Sequence, residues 1–496
     1  MNIGEAKQEI INTIRAYRQK DDMGGYLIPV QKQRPILLIG PPGIGKTAIM
    51  EQVAEELSIN LVSYTITHHT RQSAIGLPFI SKKKYDNKEM SVTEYTMSEI
   101  IASVYDKIAQ TGIHEGILFL DEINCVSETL MPTMLQFLQY KTFGAHKVPD
   151  GFIIVTAGNP PEYNKAVRDF DIVTLDRVKK IEIEEDLDTF KEYADKTGIH
   201  GAVLAYLDIH KDNFYRIKND INGKQFVTAR GWEDLSQLIR TYEKLGIEVD
   251  EKVTRQYLQE PEIARDFAMF YALYKKYEAA YNISEIMEGK AEVDRDKLRK
   301  APFDEKLSIL SLFMDKLTQE FVQYNRDLSL QLRLRDEITN IVKKSEEGSL
   351  SDLLRERQEV LIREYESKAG EHLMDHEQEI VLKKVIDASR EFEELAIGKK
   401  GDDVKALLKE WFTGREIGRR EAAEKTSAHL NNCFDFIAKV YGEEQEMVLF
   451  LTRLDSGHYS LSFIQNEGCE KYYEYNKLLL LRDKKQELRE KVLSIL

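Results

Sequence analysis

The chain has 496 residues, of which 42% are apolar and 31% charged, and its net charge is −15. That length implies about three domains with sizeable cores. The negative balance argues against a protein that coats nucleic acid or anionic membrane, since both need a positive field, although a local basic groove stays open. The three cysteines, Cys125, Cys433 and Cys469, lack metal-ligand spacing and allow no even disulfide framework, which fits a reducing cytoplasm.

The opening "MNIGEAKQEIINTIRAYRQK" carries charge too early and too evenly for a secretion signal. No window approaches the roughly 18 uninterrupted apolar residues of a membrane span. "PILLIG" reads as a short buried strand, followed by a helix from Lys46. Further strands are expected at "INLVSYTI" (59–66), "GILFLDEI" (116–123), "GFIIVTAGN" (151–159) and "VKKIEIE" (178–184). Helical stretches separate them, notably "SEIIASVYDKIAQT" (98–111) and "VSETLMPTMLQFLQY" (126–140). This alternation predicts an α/β fold, an open and mostly parallel sheet with helices on both faces.

Strand signals fade from about Asp186, where "TFKEYADKTGIHGAVLAYLDIH" and "TARGWEDLSQLIRTYEKL" look like helices of a small lid. All eleven prolines lie between Pro29 and Pro302, and the charged, helical remainder has none. "SAHLNNCFDFIAKVY" puts Leu430, Cys433, Phe434, Ile437 and Tyr441 on one helical face. The expected divisions are therefore 1–185, a nucleotide-binding α/β domain, 186–290, a helical lid, and 291–496, an all-α C-terminal extension.

Gly40-Pro41-Pro42-Gly43-Ile44-Gly45-Lys46-Thr47 fits G-x-x-x-x-G-K-[ST] between a strand and a helix. Glycines let backbone N–H groups converge on phosphate oxygens, and the helix N-terminus adds its positive dipole end. Lys46 is expected to reach the β- and γ-phosphates of a nucleotide, and the Thr47 hydroxyl to ligate Mg²⁺. "ILFLDEIN" ends an apolar strand in Asp121-Glu122, where ligands sit in open α/β sheets. Asp121 is expected to hold the Mg²⁺ through its water shell, and Glu122 to polarise an attacking water.

Together, "GPPGIGKT", "LFLDEIN", "IIVTAGNPPEY", "TLDRV" and "FVTARGWEDL" resemble the MoxR-like AAA+ ATPases, close to the dynein-related ATPase group. The resemblance covers roughly residues 1 to 245. It implies ATP and Mg²⁺ as ligands, hydrolysis to ADP and phosphate, and a ring, usually a hexamer, with ATP between neighbouring subunits. Asn159 matches the sensor-1 position, whose amide orients the lytic water or contacts the γ-phosphate. Arg177 in "TLDRV" matches the arginine that a ring neighbour inserts towards the γ-phosphate, with Arg168 as the competing candidate. Arg230 in "TARG" matches the sensor-2 arginine of the lid. Asn124 also fits the family pattern, while Cys125 replaces its usual basic residue and reads as packing.

The family carries insertions near 67–90 that face the ring pore or a partner; here His68, His69 and "KKK" (82–84) read as a solvated loop, not as metal ligands. "DLLRERQEVLIREYESK" and "KKQELREKVL" mix charges as exposed helix faces do. "GREIGRR" (414–420) is basic but short. The expected function is remodelling or maturation of a client protein, and the resemblance suggests a partner with a von Willebrand A-type domain. The rivals are an AAA+ motor on nucleic acid, which the acidic balance disfavours, and a nucleotide-gated scaffold with little hydrolysis.

Overall fold

The computed structural model describes residues 1–478 except 69–73, 75, 86–87, 144–145, 164–169, 221–222, 291–294, 345–349, 371–373, 375 and 397–401. Arg168, His69 and "KKQELREKVL" lie outside the described residues, as does the side chain of His68. The chain packs as two compact units. One is Met1–Thr189 with Thr228–Arg230, and the other holds Phe190–Val227, Gly231–Ala369 and the described residues from Met374 on.

The first unit is built on five parallel strands, β1 (Ile36–Ile39), β2 (Asn60–Thr65), β3 (Gly116–Asp121), β4 (Phe152–Gly158) and β5 (Lys179–Glu182), in the order β2-β3-β4-β1-β5. Side chains on a strand alternate between faces. Leu37, Leu118, Leu120 and Ile154 accordingly join one buried cluster, and Ile36, Leu38, Phe119, Ile153 and Val155 the other. Burial on both faces is what continuous apolar strands need, and helices supply it. Ile3–Arg18 and Lys46–Leu57 cover the second cluster through Ile10, Ile14, Met50 and Val53. Glu99–Thr111 and Met131–Tyr140 cover the first through Ile101, Val104, Met134 and Phe137.

The helix expected from 126 begins at Met131, with Pro132 in its first turn, where a missing N–H is harmless. The loop expected around 67–90 contains an antiparallel hairpin, Pro78–Tyr85 against Lys88–Tyr95, most of it exposed. Lys82 and Lys83 there pair with Glu89 and Glu94 across the strands.

In the second unit, residues read only as lid helices also contain a hairpin, Arg216–Asp220 with Gly223–Val227. Around it Tyr206, Trp232 and Phe267 pack ring against ring, with centroids 5.3 to 5.6 Å apart. The C-terminal region is helical, including Phe303–Lys344 and Asp402–Val440, of 42 and 39 residues. Leu430, Cys433, Phe434, Ile437 and Tyr441 are all buried, as their spacing predicts. The arginines of "GREIGRR" face carboxylates: Arg415 lies 2.8 Å from Glu391, and Arg419 and Arg420 lie 2.9 and 3.0 Å from Glu416. Among the described residues, no helix is long and apolar enough to cross a membrane.

Candidate nucleotide site

Strand register brings the motif residues together. Ile39 of β1 pairs with Gly158 of β4, and Leu120 of β3 with Thr156 of β4, so three strands end side by side at their carboxyl edge. The turn after β1, the Asp121-Glu122 pair after β3 and Asn159 after β4 thereby share one crevice, where open α/β sheets bind ligands.

Two glycines of the turn take left-handed φ values, +72° at Gly43 and +95° at Gly45, which L side chains rarely adopt. Gly40 is hemmed in instead, since a Cβ there would lie 2.7 Å from the Ile183 carbonyl oxygen. Ile44 anchors the turn by packing on the core, and Pro42 stays half-buried. Gly45 then opens the Lys46–Leu57 helix, its carbonyl accepting from the Ile49 N–H at 3.1 Å.

Lys46 is 8% exposed, and its ammonium donates to the carbonyls of Gly40 and Pro41, both at 2.7 Å, and to Asn159 Oδ1 at 2.9 Å. Three donors thus meet three acceptors. Burial pulls Lys46 down from 10.5 to about 8; the Asp121 carboxylate opposes that fall and Arg230 adds to it. The Thr47 hydroxyl donates to Asp121 Oδ2 at 2.9 Å. A hydroxyl and a carboxylate at the mouth of a phosphate turn are the hard oxygen donors that Mg²⁺ takes, with water filling its other positions. The residues fit the ion.

Glu122 follows with φ +56° and ψ +36°, a left-handed conformation unusual for a residue with a Cβ. Its N–H donates to Asp121 Oδ1 at 2.8 Å. The tight turn Ile123–Cys125 comes next, and from it Asn124 reaches to β4, where its Nδ2 donates to the Asn159 carbonyl at 2.7 Å. The family pattern singles out Asn124 in the sequence without giving it a role; the contact with Asn159 is what the structure adds.

Arg230 sits in the first turn of Ala229–Leu245, with its N–H donating to the Gly43 carbonyl at 3.1 Å and its side chain exposed. Arg177 is exposed just beyond the short Ile172–Leu175 helix, and its N–H bonds Thr174 O at 3.0 Å. Its neighbour Asp176 pairs with Arg34 at 3.9 Å. Among the described residues no hydrogen bond or ion pair links Arg177 to the phosphate turn.

Residues 36–176 match the model of the ATPase family associated with various cellular activities (AAA). No curated protein matches the chain. A solved structure from Cytophaga hutchinsonii, described as a candidate ATPase, is 16% identical over 37% of this chain, with a TM-score of 0.21. That match spans 50% of the Cytophaga chain. A lysine-to-arginine variant of RuvB from Thermotoga maritima is 14% identical over 60% of this chain and 80% of its own, with a TM-score of 0.29. Likeness at those scores carries no argument. The family match and the crevice geometry support an AAA+ P-loop NTPase domain.

Proposed function

We propose that the protein is a Mg²⁺-dependent ATPase of the MoxR-like AAA+ group, working as a ring, hexameric by resemblance, that remodels or matures a client protein in the cytoplasm. The observation that carries this reading is the convergence of Lys46, Thr47, Asp121 and Asn159 through hydrogen bonds of 2.9 Å at one sheet edge.

In this reading the turn from Gly40 to Gly45 cradles the phosphates with backbone N–H groups, and Lys46 exchanges a carbonyl acceptor for a phosphate oxygen. Thr47 and Asp121 hold Mg²⁺, which when bound neutralises charge developing on the phosphates. Glu122 polarises the attacking water, and Asn159 orients that water against the γ-phosphate. ATP and water become ADP and phosphate. Arg177 serves the neighbouring subunit's ATP, a role its exposure supports. Arg230 contacts the nucleotide from the lid side. The client carries a von Willebrand A-type domain, and the net charge of −15 favours a protein client over nucleic acid.

The test is ATP hydrolysis and sedimentation, side by side, for wild type and Glu122→Gln, with and without ATP and Mg²⁺. Wild type is expected to turn over, and the variant to bind ATP, stall and accumulate as a ring. Nucleotide binding without hydrolysis or assembly in either protein would sink the motor reading in favour of a scaffold.

A further inference from the structure

Asn124 is buried, at 2% exposure, yet only half of its carboxamide is used. Nδ2 holds the Asn159 carbonyl at 2.7 Å, which fixes the orientation of the group. Oδ1 is buried without a hydrogen-bond partner. It lies against Gly158, where a Cβ would come within 2.5 Å of that oxygen and 2.8 Å of the carboxamide carbon. The carboxamide therefore rests on a bare Cα that any other residue would obstruct.

Stability alone does not account for this arrangement. A buried acceptor left unpaired costs free energy, and leucine would fill the same space without that cost. What the asparagine supplies is a link between two strand ends. On one side is the Asp121-Glu122 corner, with its left-handed Glu122. On the other is Asn159, whose Oδ1 meets Lys46 at 2.9 Å. Without the link, nothing on the β3 side bonds the Asn159 main chain among the described residues.

We propose that Asn124 is a positioning residue for ATP hydrolysis, and that position 158 is glycine so that its carboxamide can clamp the main chain at Asn159. The clamp holds the Asn159 amide and the Glu122 carboxylate in fixed relation across the crevice. It touches no reacting atom. This inference rests on the reading of Glu122 and Asn159 as the residues that direct the lytic water.

The experiment measures steady-state ATP hydrolysis, nucleotide affinity and unfolding midpoint for wild type, Asn124→Leu, Asn124→Asp and Gly158→Ala. Aspartate keeps the size but loses the donor, and the alanine pushes the carboxamide away from the other strand. Each variant is expected to lower kcat roughly 10- to 100-fold, the scale of a small misplacement of reacting groups. KM and nucleotide affinity should stay near wild type, a split that mere loss of structure does not produce. Asn124→Leu combined with Gly158→Ala should fall no further than the more damaging single change, because both break one contact. Should the leucine variant fail to fold, the other two carry the test. Unimpaired turnover in these variants, or affinity lost in step with kcat, overturns the role of Asn124. A wild type that does not hydrolyse ATP overturns the hydrolysis reading itself.

Discussion

Gly43→Ala separates two demands made on one residue of the phosphate turn. The first is conformational: at φ +72° an alanine is left-handed, at about 1–2 kcal/mol. The second is steric, because the new Cβ would lie 2.9 Å from both Cβ and Oγ1 of Thr228. Overpacking of that kind typically adds about 1–3 kcal/mol. Gly45 offers the control, since its φ is +95° but nothing lies within 4 Å of a Cβ there. Gly45→Ala should therefore show the conformational cost alone, and Gly43→Ala should exceed it. Thr228→Gly removes every atom in the clash, so added to Gly43→Ala it should return the excess and leave the conformational part. Both tryptophans, Trp232 and Trp411, belong to the second unit. Urea unfolding followed by far-UV circular dichroism and by tryptophan fluorescence thus distinguishes the units. The part of the dichroism change that belongs to the first unit should move to lower urea while the fluorescence transition stays. Equal costs for the two glycine substitutions, or no recovery with Thr228→Gly, would refute the argument.

Three further outcomes follow from the same geometry. Arg177→Ala and Glu122→Gln should each hydrolyse ATP poorly alone, and mixing them should restore turnover if Arg177 acts across a subunit boundary; a mixture as inactive as its parts rules that out. Phe119, fully buried on the central strand β3, should cost about 3–5 kcal/mol as Phe119→Ala, read as early loss of the dichroism transition and of nucleotide binding. In the second unit, burial pushes the Glu243 carboxyl up, but hydrogen bonds and charge from His200 and Lys275 outweigh it and hold the group at about 2. A depressed carboxyl stabilises the fold above its ordinary 4.5 and loses that contribution as pH falls from there towards 2, so Glu243→Gln should flatten the fall in the fluorescence midpoint across that window.

Much of the first unit was legible because its signals are local. Apolar runs of strand length alternate with helical periods, and the continuous apolar runs of β1, β3 and β4 are what burial on two faces requires. Neither hairpin shows in that pattern, though the sequence near each carries turn-favouring residue types. Asn222 precedes "GKQFV", and Asp86-Asn87 stands between "FISKKKY" and "KEMSVTEY". Such residues alone do not announce a hairpin, because exposed strands carry weak apolar alternation. Nearly all of Pro78–Tyr85 faces solvent, so its strand character rests on pairing with Lys88–Tyr95 and leaves little pattern.

The glycines of the crevice show where legibility stops. Gly45 belongs to the phosphate pattern, and its need for a left-handed φ is a local property that a motif can encode. Gly43 occupies a variable position of that pattern, yet it faces Thr228, 185 positions along the chain by its own number, and a Cβ would meet that residue at 2.9 Å. Gly158 ends a strand where alanine would suit the backbone equally well, and only the Asn124 carboxamide excludes it. One residue type thus serves a conformation, a distant side chain and a clamp. A sequence records the first through its neighbours; the other two exist only after the strands are in register. The same holds for Glu122, whose motif position announces chemistry but whose left-handed φ, the feature that turns the chain back towards Asn159, follows from the structure alone.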